Sequence, residues 1–176
     1  MTRKEIKKAI ALDQKYYKDG NTLYLNIIND HLVTIKKCMK HYRWQQYYFY
    51  KKNKIMEYLH ARRMNHYGNK VGIYIGRECL EPGITIYHQG ITINGNARLG
   101  SGCKLHGNNC IGNKGTGGEN KAPKIGKNVD IGFGAVLIGD ITIADNCVIG
   151  ANAVVTKSFL EPGTVICGVP AKKIDQ

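Results

Sequence analysis

Acidic residues are scarce in this chain: 13 Asp and Glu stand against 26 Lys and Arg in 176 residues, for a formal net charge of +13 at pH 7. The imbalance is local. Residues 1–70 hold 16 of the basic and five of the acidic residues, so this part alone carries +11. Such a segment suits an acidic partner, namely a phosphorylated substrate, a lipid headgroup or a nucleic acid, or is simply a solvated helical face. No recognition motif or stacking platform accompanies the charge, which argues against nucleic acid. Apolar runs are short as well. No stretch of about 18 apolar residues occurs, which excludes a membrane-spanning helix. The opening MTRKEIKKAIALDQKYYKDG lacks the apolar core of a signal peptide, so a cytoplasmic location is expected, with peripheral membrane contact left open to the basic N-terminal helices. The cysteines at 38, 79, 103, 110, 147 and 167 show no CxxC spacing, and no Asp, Glu, His or Cys grouping has metal-ligand spacing. Neither disulfides nor a metal are expected.

Proline is absent before residue 82, which leaves the first third free to be helical. Residues 3–18 and about 31–66 are charged, Tyr-rich and helical in pattern, with Gly20 between them. Ile35, Met39, Tyr42, Gln46 and Phe49 trace a stripe at helical spacing, extended by Ile55, Tyr58 and Leu59. A stripe of this kind reads as a packing face. His31, His41, His60 and His66 fall in this region without ligand spacing and are assigned no chemistry.

From residue 93 a different rule takes over. A large aliphatic residue returns every six positions (Ile93, Leu99, Leu105, Ile111) and, after one break, again as Ile125, Ile131, Leu137, Ile143, Ile149 and Val155. Gly follows many of these anchors, and the fourth position after them is mostly small: Ala97, Cys103, Val129, Ala135, Cys147, Ala153. A period of six matches neither a helix nor one long strand. It matches a solenoid with three short flat faces, turning a corner every six residues. The fold class expected is mainly β, with residues 1–70 as a helical N-terminal region and 71–176 as the solenoid domain. The break from 111 to 125 counts as two hexads plus two residues and marks an ejected, Gly-rich loop over 115–124 (GTGGENKAPK). Loops thrown out of a rigid scaffold are common carriers of function.

The segments IYHQGITINGNARLG, LHGNNCIGNKG, PKIGKNVDIGFGAVLIGDITIADNCVIGANAVV and VICGVPAKKI resemble the hexapeptide-repeat acyltransferases. Within these the chain is similar to the serine acetyltransferase branch, including the related O-acetyltransferases of bacterial surface-polysaccharide pathways. The likeness covers about residues 71–174. It implies a left-handed parallel β-helix, a homotrimer with active sites between neighbouring prisms, and acetyl-CoA as donor.

Acetyl transfer from a thioester to a hydroxyl needs a base for the hydroxyl proton, donors for the tetrahedral oxyanion and a proton for the departing thiolate. Histidine suits the first and last of these. The resemblance makes His88, in IYHQG, the general base. His106, in LHGNN, lies eighteen residues on, one full coil if the register holds. Both would then follow an inward anchor and point outward about 5 Å apart on adjacent coils. For the donor, the resemblance points to backbone amides around Gly134, Ala135, Asn152 and Ala153 for the pantetheine arm. Lys157, Lys172 and Lys173 are candidates for the phosphates. Tyr87 and Lys121 are the expected acceptor contacts.

Four positions depart from the serine acetyltransferase pattern. Tyr87 stands where an Asp precedes the histidine, Lys121 and Ala122 stand where an Arg-His pair precedes Pro-Lys-Ile, and Gly72 falls near an upstream carboxylate. The expectation drawn from them is a saccharide acceptor, nucleotide- or lipid-linked, in surface-polysaccharide synthesis. Serine itself is the alternative acceptor, and a non-catalytic scaffold the alternative class.

Overall fold

The computed structural model describes residues 2–18, 22–28, 30–115 and 121–174. The N-terminal region forms four α-helices: α1 (Arg3–Asp13), α2 (Thr22–Ile27), α3 (His31–Tyr50) and α4 (Lys54–Lys70), with a 3-10 turn over Lys15–Lys18 after α1. The segment expected to be continuous from 31 to 66 is therefore a hairpin. Neither Gly nor Pro marks the break. Lys52 takes a left-handed conformation (φ 54°), and the Asn53 side chain accepts a hydrogen bond from the Met56 amide to start α4. The turn also splits the expected stripe. Ile35, Met39, Tyr42 and Gln46 are buried, whereas Ile55, Tyr58 and Leu59 are exposed.

Residues 73–115 and 121–174 wind into a three-sided prism. One face stacks the strands Ile73–Ile75, Ile91–Ile93, Cys110–Gly112, Val136–Ile138 and Val154–Val155. The second stacks Arg98–Leu99, Lys124–Ile125 and Thr142–Ile143. The third stacks Thr85–Ile86, Lys104–Leu105, Asp130–Ile131, Val148–Ile149 and Val165–Gly168 and ends with Ala171–Ile174. All pairings are parallel except the final one. Hexad anchors meet anchors: Ile93 lies beside Ile111, Leu105 beside Ile131 and Leu137 beside Val155. Each is fully enclosed and stabilises the prism by roughly 1.5–3 kcal/mol. Cys79, Cys103 and Cys147 are buried free thiols in the small slots, as the pattern requires.

Two coils depart from the 18-residue repeat. Ile111 pairs with Leu137 and Leu99 with Ile125, so this coil spans 26 residues. The count is one hexad plus eight extra residues rather than two hexads plus two, and residues 116–120 of that loop lie outside the described residues. At the other end, Ile86 pairs with Leu105, a coil of nineteen. The hexad extrapolated back from Ile93 would have put Tyr87 inward. Ile86 takes the core position instead, and Tyr87 with its phenol stays at the half-buried outer surface.

The segment 80–88 is the open end of the prism's second and third faces, with Leu80 beside Leu99 and Thr85–Ile86 beside Lys104–Leu105, and strand edges there need partners. Alternate amides, those of Thr85 and Tyr87, bond the next coil. The opposite side is met by side chains from the helices. Arg43 on α3 donates to the Asp13 carboxylate at 2.6 and 3.1 Å, to the Leu80 carbonyl at 2.7 Å and to the Glu81 carbonyl at 2.7 Å. Asp13 Oδ1 in turn accepts from the Gly83 and Ile84 amides at 2.8 and 3.1 Å. Tyr42 Oη accepts from the Leu80 amide at 3.0 Å. Tyr17 Oη accepts from the Ile86 amide at 3.2 Å and donates to its carbonyl at 2.6 Å. Burial pushes the phenols of Tyr17 and Tyr42 well above their usual range, so both stay protonated.

Because Arg43 and Asp13 are both about 1% exposed, Arg43→Met leaves a buried carboxylate without its cation. The expected loss is about 3–5 kcal/mol of unfolding free energy, read by urea denaturation. A second prediction comes from the helical hairpin, where His41 and His60 face each other through Nδ1 at 2.9 Å. Burial, His60, Arg63 and Lys40 together lower the His41 pKa to about 4, and burial lowers that of His60 as well. The unfolded chain therefore takes up protons at a higher pH than the folded one. This contribution to stability is complete above the ordinary histidine pKa of 6.5 and is lost as pH falls toward about 4. The urea midpoint should drop between about pH 7 and pH 5, and His41→Phe should flatten that dependence.

Candidate functional site

His88 owes its position to the nineteen-residue coil. The pairing of Ile86 with Leu105 sets Tyr87 opposite His106. The Asn108 amide donates to the Gln89 carbonyl, which aligns Gln89 with Gly107. Between these two matched rungs His88 has no counterpart on the next coil. It is a one-residue bulge at a corner, and bulges re-aim side chains in this way. The ring is exposed and borders a cavity of about 280 Å³ lined by His31, His88, Gln89, Asn108 and Phe133. Gly107 makes the geometry possible. It has φ +116°, and a Cβ there would lie 2.7 Å from His88 Cβ and 3.1 Å from the Phe133 ring.

The expectation that His88 and His106 stack in register on adjacent coils is corrected by the same bulge. His106 faces Tyr87, with ring centroids 4.7 Å apart. Its Nε2 lies 2.7 Å from Asp130 Oδ1, and Lys104 Nζ approaches the other Asp130 oxygen at 3.4 Å. Tyr87 also meets the ring of Tyr16, edge-on at 4.6 Å. His31, at the first position of α3, stacks on His88 at 5.8 Å with the planes 23° apart. Sequence reasoning missed His31, Tyr16 and Asp130. The nineteen-residue interval from Ile86 to Leu105 was a readable sign of the bulge, whereas nothing local links residues 16 or 31 to 88.

The four backbone amides expected to meet the pantetheine arm have partners within the prism. The Gly134 amide donates to Gly107, Ala135 to Gly132, Asn152 to Phe133 and Ala153 to Gly150. All four hold coils and corners together, and Ala135 and Ala153 are fully enclosed. A donor molecule here would meet corner surface rather than free N–H groups. The expected cations lie at the surface. Lys157 is exposed, 5.5 Å from the Phe159 ring centroid, and Lys172 is exposed on the last strand, while Lys173 is paired with Glu161 at 2.6 Å. Lys121 is exposed and lies 3.7 Å from Asp140, and Ala122 beside it is buried. Among the described residues no group of three or more His, Cys, Asp or Glu could hold a metal ion, and no helix is long and apolar enough to cross a membrane.

Comparison with known proteins extends this picture. The bacterial transferase hexapeptide (six repeats) family matches residues 122–157. A serine acetyltransferase of Mycobacterium tuberculosis is 37% identical over 87 residues, covering 49% of this chain and 38% of that protein. The chain thus spans about two fifths of the length of such relatives. A serine acetyltransferase of Buchnera aphidicola (subsp. Schizaphis graminum) aligns at 30% identity over 97% of this chain and 74% of its own length. Among solved structures, that of Neisseria gonorrhoeae serine acetyltransferase superposes with a TM-score of 0.77 at 26% identity, over 99% of this chain and 68% of that one. The Brucella abortus enzyme in complex with coenzyme A shares the fold, with a TM-score of 0.76 at 21% identity, over 98% and 68%.

The corner geometry is open to a direct test. Gly107→Ala should displace the His88 ring and move its Cε1–H resonance in a proton–carbon NMR spectrum. Gly112→Ala, where a Cβ meets nothing within 4 Å, should leave that resonance in place.

Proposed function

The chain belongs to the serine acetyltransferase family, and from that premise we propose that it transfers the acetyl group of acetyl-CoA to the hydroxyl of L-serine, with His88 as general base. The saccharide acceptor expected from Tyr87, Lys121 and Ala122 is corrected by the relatives. The Buchnera protein aligned over nearly the whole chain, and the gonococcal structure that superposes on it, are serine acetyltransferases. The surface-polysaccharide branch falls with it. Missing family contacts speak to how an acceptor is held in this chain, and they do not define a different acceptor class. The basic N-terminal helices lie within the same alignment, so they set the chain apart from the family no more than the prism does.

One observation carries the mechanistic reading: His88 is the unmatched residue of its coil, exposed beside a cavity. An imidazole there can take the serine hydroxyl proton as the oxygen attacks the thioester carbonyl. The tetrahedral oxyanion then collapses, the carbon–sulfur bond breaks, and the imidazolium returns its proton to the CoA thiolate. The product is O-acetylserine, and the base is regenerated neutral. His106 is less suited to this role, because its Nε2 is engaged by Asp130 and its ring lies against Tyr87. We assign it to the support of Tyr87, which lines the acceptor side with Lys121. Lys157 and Lys172 are the candidate contacts for the CoA phosphates, as point charges.

A left-handed winding and a homotrimer belong to this reading. The outward residues Cys110, Val136, Ile138 and Val154 form an apolar, half-buried stripe on the first face, a surface that a neighbouring prism would cover. A cytoplasmic location goes with the same substrates.

Thiol release from acetyl-CoA should require L-serine and should fall by about 10²–10⁴-fold in His88→Ala. Thiol release by His88→Ala equal to that of the parent would overturn the assignment of the base. A parent protein inert toward L-serine but active on another hydroxyl compound would overturn the acceptor.

A further inference from the structure

Three consecutive residues at the proposed catalytic corner are each held by a different residue of the N-terminal helical region. Ile86 is bonded through both its amide and its carbonyl to the phenol of Tyr17, at 3.2 and 2.6 Å. Tyr87 meets the ring of Tyr16 edge-on at 4.6 Å. His88 is stacked against the ring of His31 at 5.8 Å. Capping a prism end requires only that backbone groups find partners, and the Tyr17 bonds do that. It does not require an aromatic ring on Tyr87 or an imidazole plane on His88.

We propose that Tyr16, Tyr17 and His31 form a clamp that positions His88, so that the helical region is part of the catalytic apparatus of its own chain. The inference rests on His88 being the base. Physical necessity points the same way. A bulged residue lacks a rung on the adjacent coil to fix it, and an exposed imidazole retains rotamer freedom that costs rate when a reacting geometry must be held. Tyr17 fixes the main chain two residues upstream, Tyr16 and His106 both pack on Tyr87, and His31 limits the swing of the His88 ring. His31 is itself placed by the start of α3, where Asp30 accepts a hydrogen bond from the Leu32 amide at 2.8 Å. Its ring stands where α3 begins and the prism corner turns.

His31 is a positioning residue on this view, and its flat ring matters more than its nitrogens. In the full-length protein, His31→Ala should lower kcat by about tenfold while KM for acetyl-CoA stays within about twofold. His31→Phe, which keeps a flat ring, should restore most of the lost rate. The His88 Cε1–H resonance should move in His31→Ala through loss of the ring current. Tyr17→Phe should reduce kcat in the same direction.

A His31→Ala protein with unchanged kcat and an unmoved His88 resonance would overturn the clamp. So would a change in KM alone, or failure of His31→Phe to recover rate where His31→Gln succeeds, since either would make His31 a direct substrate contact. The resonance decides the clamp even if L-serine proves inert. An acceptor failure with a shifted His88 signal would overturn the proposed substrate and leave the clamp supported.

Discussion

The open end of a parallel coil is a strand edge, and the whole molecule is arranged around satisfying it. On the second and third faces, the amides of Leu80, Gly83, Ile84 and Ile86 and the carbonyls of Leu80, Glu81 and Ile86 point away from the next coil. Left bare, such groups would template association with another chain. Asp13, Tyr17, Tyr42 and Arg43 meet them from three elements of the helical region. The Asp13–Arg43 pair is the centre of this cap. Two charges in the interior are tolerable only when their remaining hydrogen-bonding capacity is filled, and backbone groups of the first coil fill it. The helices and the prism therefore form one unit at this end.

The same docking reaches the corner that carries His88. A cap that grips residues 80–86 brings residues 16 and 31 to 87 and 88, the next positions along the strand. The bulge supplies the other half of the arrangement. In a strict 18-residue coil every residue has a counterpart above and below, and each outward side chain belongs to a column. One added residue breaks the column at a single place and sends one side chain, that of His88, into the open. The rigidity of the remaining coils, with anchor packed on anchor, holds that departure in a fixed geometry.

The hexad was legible because it is a local rule repeated many times. Each anchor from Ile93 to Val155 lands in the core, and the small slots at Ala97, Cys103 and Ala153 are fully buried. The helical hairpin was half legible. The stripe on α3 was read correctly, but its extension to Ile55, Tyr58 and Leu59 ignored the turn at Lys52, whose positive φ falls on a residue type that rarely signals one. The register at the first coil was misread by one residue. Between Tyr87 and Ile86 the choice was made by burial, since an aliphatic side chain fills a closed three-sided core without a hydroxyl to satisfy. The acceptor was not legible, because absent family contacts carry no positive information about what replaces them.

From its sequence alone, the chain is determined to be a coil of short parallel strands behind a basic helical segment, for periodic burial is a requirement that each hexad states separately. The histidine proposed as the base is named by its motif. Its setting is not. That Tyr87 rather than His88 faces His106, that Asp130 holds His106, that the amides of Gly134 and Asn152 are already engaged, and that His31 lies on His88 were all decided by tertiary structure. The contacts at the corner depend on register slips or on residues more than fifty positions apart, such as His31 with His88, and neither leaves a periodic trace in the chain, whereas the amide bonds of Gly134 and Asn152 come with the stacking of the coils.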